Sequence, residues 1–359
     1  MVLAAAWTTI VSARLVTIRN DEPRVDTNGH IVDAHDGMIL AVGSPPTYYL
    51  YGERYGNTTG MYPWVAAPTV VVYTSPDLTT WMYRGPLLLN TTSPTQWIPN
   101  VMYDPRSARF ILWYGVGDWG VAVSQNGINF TVVHEHESSR LGGQTDGTGI
   151  FIDDDGTGYV IFAALVDSPG ESGHVVSIER LANDYLSSSL VNVSGFFPDG
   201  LVESPALFKR GSIYYATYGQ CCCACRGGGG IVVFTASSVL GPWTRQQPHS
   251  DVNCVDAASP ICRDTSRYVF NAQWWGVSLI PTSGGGTSYV FTGRRWLSGP
   301  GNPAGCADLC SNGGNPGACA APSYFLSSDF DVWYPLEFNT TTGAVLPMRP
   351  LSSFTLDIP

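Results

Sequence analysis

Tyr73-Thr74-Ser75-Pro76-Asp77-Leu78, closing on Trp81, decides the fold because the phrase returns along the chain. It recurs as Val123-Ser124-Gln125-Asn126-Gly127 closing on Phe130, as Ser237-Ser238-Val239-Leu240-Gly241-Pro242-Trp243, and as Leu326-Ser327-Ser328-Asp329-Phe330 closing on Trp333. Ser177-Ile178-Glu179-Arg180-Leu181 reads as a worn fifth copy that lacks the aromatic. Ahead of each copy lies a strand-turn-strand pattern, over Thr47 to Tyr51, Phe110 to Tyr114, Gly158 to Phe162, Ser212 to Tyr218 and Ser288 to Thr292. These stretches are rich in the aromatic and β-branched residues that suit half-buried pleated strands. A unit of short strands repeated roughly every fifty residues is the signature of blades set around an axis. The expectation is an all-β, five-bladed β-propeller. Its blades fall near 28–90, 95–137, 144–195, 200–250 and 268–345, with residues 1–27 packing on or closing the ring.

Composition agrees with this reading. The chain of 359 residues could hold two domains by length, but closed all-β architectures run long as single domains, and the repeat favours one. Only 13% of residues are charged, while Gly and Pro number 40 and 25, which suits tight turns and stacked sheets better than helices or disorder. A net charge of -11 argues against nucleic-acid or anionic-membrane partners, since both require a basic surface. No apolar run is long enough to span a bilayer. Val2 to Ala13 reads either as the stub of a signal peptide or as a first strand, the β-branched residues from Leu15 to Ile18 favouring the strand.

Compartment is read from two features. Asn-x-Ser/Thr sequons at Asn57, Asn90, Asn129, Asn192 and Asn339 each fall in or beside an expected turn, where glycosylation is sterically open. The nine cysteines cluster late, at 221, 222, 223, 225, 254, 262, 306, 310 and 319. In an oxidising compartment they would staple long loops, including a Gly-, Pro- and Cys-rich insertion at 298–321. Zinc is the competing reading, but the run Cys221 to Cys225 lacks the paired spacing and histidine partners of tetrahedral sites. A secreted, extracellular protein is expected. No cofactor is expected and no metal site is assigned. Asp153-Asp154-Asp155-Gly156 resembles a calcium loop but lacks the remaining ligands and reads as a hairpin turn, and an axial calcium ion is not indicated. His134 and His136 read as a solvated stretch, and Gly227 to Gly230 lacks the Lys and Ser/Thr of a phosphate loop.

In a propeller the innermost strands of all blades open onto one axial cavity, so their first residues are the candidates for chemistry. Asp33-Ala34-His35-Asp36-Gly37-Met38-Ile39-Leu40 starts the first blade, and Val202-Glu203-Ser204-Pro205-Ala206-Leu207-Phe208-Lys209 the fourth. A carboxylate just ahead of an apolar inner strand is partly desolvated, so its charge is offset or its proton retained. Glu203 is therefore a candidate general acid and Asp36 a candidate general base, on opposite blades with room for a water between them. That is how an inverting glycosidase is arranged. The plainer alternative is that both acids bond turn amides near the axis.

These motifs carry a specific resemblance. Asp33-Ala34-His35-Asp36-Gly37 with Tyr48-Tyr49-Leu50-Tyr51-Gly52-Glu53, then Glu203-Ser204-Pro205-Ala206-Leu207-Phe208-Lys209, Gly293-Arg294-Arg295-Trp296 and Val332-Trp333-Tyr334-Pro335-Leu336 resemble glycoside hydrolase family 43. The nearest branch is that of the exo-β-1,3-galactanases, and the resemblance runs from about Asp26 to the C-terminus. It implies a five-bladed propeller acting on a poly- or oligosaccharide. It places the general acid on Glu203, a substrate contact on Glu53, and on Gln273 the glutamine that the galactanase branch uses in place of the usual base aspartate, so that Asp36 or Gln273 positions the water. Trp274 and Arg295, inside matched motifs, and His35, in an axial or a structural role, join the candidate contacts. Three departures stand out. Asp36 replaces a galactanase glycine and restores an ordinary base. Gly147 stands where the acid-tuning aspartate belongs, with Asp146 one place off, and a one-residue slip sends a side chain to the opposite face. Trp97 replaces a substrate-binding glutamate and offers a ring for stacking instead.

Two readings follow. One is an extracellular, exo-acting, inverting glycosidase acting on galactose- or arabinose-containing polysaccharide. The other is a decayed propeller serving as a carbohydrate-binding or structural glycoprotein of a wall, sheath or filament, with self-assembly open to it.

Overall fold

The computed structural model describes residues 13–58, 68–88, 90–141, 145–168, 171–192, 194, 197, 202–220, 231–246, 272–296, 298–299, 326–348 and 350–359. A first strand, β1 (Arg14–Arg19), precedes five antiparallel sheets. Blade one is β2 (His35–Val42), β3 (Thr47–Arg54), β4 (Thr69–Ser75) and β5 (Met82–Pro86). Blade two is β6 (Trp97–Asp104), β7 (Arg109–Gly115), β8 (Trp119–Ser124) and β9 (Thr131–Glu137). Blade three is β10 (Thr145–Ile152), β11 (Gly158–Ser168), β12 (Glu171–Leu181) and β13 (Ser188–Asn192). Blade four is β14 (Val202–Arg210), β15 (Ile213–Gln220), β16 (Ile231–Ala236) and β17 (Thr244–Arg245). Blade five has three strands among the described residues, β18 (Gln273–Pro281), β19 (Thr287–Arg295) and β20 (Phe330–Pro335). The last strand, β21 (Ser353–Ile358), pairs antiparallel with β1 from Arg14↔Ile358 to Arg19↔Ser353.

Each blade is a meander in sequence order, and the inner strands β2, β6, β10, β14 and β18 neighbour one another cyclically, β18 returning to β2. The ring is therefore closed and the structure is a five-bladed propeller. Its apolar core is divided among the five blade interfaces. One cluster packs Trp113, Trp119 and Phe162 between blades two and three, and another packs Phe208, Trp274 and Phe291 between blades four and five. Trp81 and Trp333, closing aromatics of two copies of the turn phrase, meet edge-on at the seam between blades one and five.

The turn phrase has a physical explanation. Asp77 Oδ1 accepts the backbone N–H groups of Thr79 and Thr80 at 2.9 and 2.7 Å, while Leu78 takes a left-handed φ of 63°. Asn126 bonds Ile128 and Asn129 in the same way ahead of Gly127. Such side-chain turns replace backbone pairing at the strand reversal. The blade-three copy belongs a few residues later than the sequence suggests. Asp184 bonds the Leu186 amide, and Tyr185 holds the left-handed position with its ring buried. The aromatic is present but has moved into the turn, where sequence matching on a closing aromatic misses it. The blade-five copy departs further. Phe330–Pro335 becomes the third strand, and Asp329 is committed to Arg294 and the Ser298 amide instead of capping a turn.

One irregularity positions the site. Every inner strand slips register near its start, between His35 and Met38, Trp97 and Asn100, Asp146 and Thr148, Glu203 and Ala206, and Trp274 and Gly276. Asp36, Ile98, Gly147 and Ser204 adopt left-handed φ values of 59°, 44°, 68° and 53° within these bulges. A bulge re-aims side chains where a regular strand would alternate them. For β-branched Ile98 the conformation costs on the order of 1–3 kcal/mol, a strain that packed surroundings must hold.

Candidate active site

The bulges of blades one, four and five bring distant residues into one cluster at the axial ends of the inner strands. In blade one, Asp36 and Glu53 are buried, and the hydroxyl of buried Tyr55 lies 3.0 Å from Asp36 Oδ2 and 2.7 Å from Glu53 Oε2. Glu53 Oε1 accepts the N–H of strained Ile98 at 2.6 Å, which ties blade one to blade two. Asp36 Oδ1 is buried with no hydrogen-bond partner. Tight backbone crossing forces the bulge here, since a Cβ on Gly37 would lie 1.9 Å from the Tyr51 carbonyl oxygen.

From blade five, the fully buried Arg294 donates through Nη1 to Asp36 Oδ2 at 3.2 Å. Its Nε and Nη2 donate to Asp329 Oδ2 at 3.3 and 3.2 Å. The guanidinium lies 3.9 Å over the Trp296 ring and 4.6 Å over the Tyr55 ring, so its charge is sandwiched by π faces as well as paired. Trp296 Nε1–H donates to Gln273 Oε1 at 2.7 Å. An indole nitrogen only donates, so this bond fixes the Gln273 amide with its oxygen toward Trp296. The amide Nε2 then donates to Glu203 Oε2 at 2.6 Å. Glu203 is part-exposed, while Gln273 is buried. A continuous path of contacts thus runs Glu203, Gln273, Trp296, Arg294, Asp36, Tyr55, Glu53.

Electrostatics follow from burial. Desolvation pushes Asp36 upward from the ordinary carboxylate range, with Arg294 pulling back. Desolvation pushes Glu53 well above that range, and the neighbouring Asp36 charge adds to the shift. His35, also buried, lies with Nδ1 3.3 Å from Asp331 Oδ1 and Nε2 3.4 Å from Asp33 Oδ1, the second an ion-pair distance without hydrogen-bond alignment. Burial and the Arg294 charge oppose its protonation, but the two carboxylates prevail and raise it to about 10. His35 is therefore an imidazolium clamped between blades one and five. It is a buried ion-pair member, with 1% of its surface exposed.

The structure gathers Glu203, Gln273, Asp36 and Glu53, with Trp97 part-exposed at the start of β6 beside Ile98. Two expected contacts are corrected. Trp274 is fully buried, stacks on Phe291 at 5.0 Å and donates to the Ser204 carbonyl, so it is a core residue and offers no face to a sugar. Arg295 sits over Phe330 at 5.4 Å, and alternation along β19 puts its neighbour Arg294 in the site instead. The Asp146 backbone pairs with Ala163, and its side chain lies outside the described residues. A Cβ at Gly147 would lie 2.5 Å from the Ser204 nitrogen, so the bulge beside the acid holds no side chain there. Sequence reading passed over Tyr55, Arg294, Trp296 and Asp329 as site residues; a Tyr two residues beyond Glu53, just past the end of β3, was the available signal for the first. The sequon residues Asn57, Asn90, Asn129 and Asn339 are exposed, and Asn192 ends β13. All nine cysteines, and the insertion at 298–321 apart from residues 298 and 299, lie outside the described residues.

Comparison with known proteins bears on the family and the fold. The family model for glycosyl hydrolases family 43 matches residues 32–249. A β-D-galactofuranosidase from Aspergillus niger is 28% identical over 206 residues, covering 48% of this chain and 54% of the relative, so the match spans about half that protein's length. An exo-β-1,3-galactanase from Clostridium thermocellum superposes with a TM-score of 0.66 at 22% identity, over 95% of this chain and 67% of the other. The exo-β-1,3-galactanase from Phanerochaete chrysosporium, solved with galactose, gives 0.67 at 20% identity over 96% and 69%. At these identities the two superpositions speak for the fold. The family match ends ahead of β18, so it covers neither Gln273, which the sequence motif suggested, nor Arg294, which the structure adds.

Proposed function

Because the chain belongs to glycosyl hydrolases family 43, we propose that it is an exo-acting, inverting glycosidase for galactose- or arabinose-containing polysaccharide, working outside the cell. The observation that carries the proposal is the path linking Glu203 to Asp36 across the ring, which sets a part-exposed carboxyl group against a buried, charge-paired one. With Oε2 of Glu203 accepting from Gln273, its transferable proton rides on Oε1 and passes to the departing glycosidic oxygen. Asp36, whose Oδ1 has no protein partner, takes the proton of the attacking water once substrate binding admits a water to that buried oxygen, while the hydroxide bonds the anomeric carbon. Solvent then returns one proton to Glu203 and removes one from Asp36. Gln273, held by Trp296, positions the acid. Trp97, part-exposed beside the Glu53 contact, supplies a stacking face to the sugar. The exposed sequons support the extracellular setting.

A panel of β-1,3- and β-1,6-galactans, arabinans, xylans and galactofuranosides tests the proposal, with Glu203→Gln as control. Release of single sugars with inverted anomeric configuration, abolished in the variant, supports it. One observation favours the non-catalytic alternative, the absence of room for an acid-tuning side chain at Gly147. Glycan binding without turnover by the unaltered protein would establish that alternative.

A further inference from the structure

Tyr55 presents one hydroxyl to two carboxyl groups, at 2.7 Å from Glu53 Oε2 and 3.0 Å from Asp36 Oδ2. A phenol carries a single proton and so donates one hydrogen bond, accepting any other through its oxygen. Were both carboxyls ionised, one contact would set a bare phenol oxygen against a carboxylate oxygen at about hydrogen-bond distance in a buried site, an uncompensated repulsion. The arrangement is satisfied only when one carboxyl is protonated and donates to Tyr55 while Tyr55 donates to the other.

We infer that Glu53 and Asp36 hold one proton between them, that it resides on Glu53 Oε2, and that Tyr55 is a positioning residue keeping Asp36 as the ionised partner. The direction of the relay follows from the surroundings. Asp36 Oδ2 also accepts from the full charge of Arg294 at 3.2 Å, whereas Glu53 Oε1 has the neutral amide of Ile98 at 2.6 Å. A full positive charge beside a carboxyl favours its ionised form more than a neutral amide does. The other charged groups facing the cluster are His35, held between Asp33 and Asp331, and Asp329, which shares Arg294. Burial raises both carboxyls, but the opposing Arg294 charge ranks next for Asp36 and last for Glu53.

The inference rests on the reading of Asp36 as base and deepens it. A neutral Glu53 removes the like charge beside Asp36, so the remaining negative charge is concentrated on the carboxylate whose Oδ1 has no protein partner.

The test is a titration of carboxyl-¹³C-labelled Asp and Glu by NMR in the whole protein, with Glu53→Gln and Asp36→Asn for assignment. The expected result is one signal still protonated at pH 7 that disappears in Glu53→Gln. Two fully ionised signals from pH 5 upward overturn the inference, as does a retained proton that disappears in Asp36→Asn instead. Tyr55→Phe removes the donor to Asp36 and is expected to move the acid limb of the pH profile of kcat/KM upward by about one unit. An unmoved limb counts against Tyr55. Should Tyr55→Phe fail to fold, the wild-type and Glu53→Gln titrations decide alone. The NMR arm needs no turnover, so a retained Glu53 proton in a protein that hydrolyses nothing leaves the inference standing and removes the catalytic reading.

Discussion

Replacing Arg294 by Met tests the centre of the cluster directly. The guanidinium is fully buried and is shared by Asp36 and Asp329 at 3.2 Å each, so its removal leaves two buried carboxylates without their cation. Breaking a buried pair by removing one partner costs about 3–5 kcal/mol, and Met fills most of the vacated volume without supplying charge. At about 2.1 cal/mol/K per residue, a chain of 359 residues unfolds with an entropy near 0.75 kcal/mol/K, so the melting point should fall by about 4–7 °C. The loss should also depend on pH. Unpaired buried carboxylates have raised folded-state pKa values, and such groups lend stability as the pH falls toward their unfolded values and withdraw it as the pH rises. The deficit of the variant should therefore be larger at pH 8 than at pH 5. Differential scanning calorimetry at both values measures this. A melting point within 1 °C of wild type at pH 8, or a deficit growing toward acid, would refute the assignment of Arg294 as the counter-ion of Asp36 and Asp329.

Three further outcomes are expected. Gly147→Asp, which restores the residue type that the family resemblance expects, should lower stability by about 2–3 kcal/mol in urea titration and leave activity unimproved, because the position is left-handed and its Cβ meets the Ser204 backbone. His35 is raised to about 10 from an unfolded value near 6.5, so the stability it contributes is complete below about pH 6.5 and is lost as pH climbs through 10. The stability gap between wild type and His35→Gln should accordingly narrow from pH 6 to pH 10, and ¹⁵N shifts of the ring should report an imidazolium at pH 8. Trp296→Phe releases the Gln273 oxygen and should lower kcat about tenfold with KM little changed, read on any substrate the panel identifies.

The fold was legible because the turn phrase encodes a mechanism. A Ser/Asp/Asn side chain that caps the reversal must be followed by a residue able to turn left-handed, and that pairing survives in sequence at Asp77-Leu78 and Asn126-Gly127. It was lost at Asp184-Tyr185, where the aromatic sits in the left-handed position itself instead of closing the turn. The site was legible to the level of motif and no finer. In Gly293-Arg294-Arg295-Trp296 nothing local prefers one arginine; the pairing Gln273↔Arg294 across β18 and β19 decides, and register is a tertiary property. Trp274 beside Gln273 read as a sugar contact for the same reason. Asp36 was found as a residue type, but its partner Tyr55 and its left-handed backbone depend on how closely β2 crosses β3.

The pairing of β1 with β21 bears on how the ring assembles. Each blade is a meander of neighbouring hairpins, so its contacts are local and form without waiting for the rest. Joining Arg14 to Ile358 is the exception, a closure across nearly the whole chain whose entropic cost scales with the logarithm of its span and is on the order of 5 kcal/mol. The seam between the first and last blades therefore sets the least local step of folding. A circular permutant that links the two strands through a short turn and opens between blades two and three would make that step a hairpin and move the least local contact to the new opening.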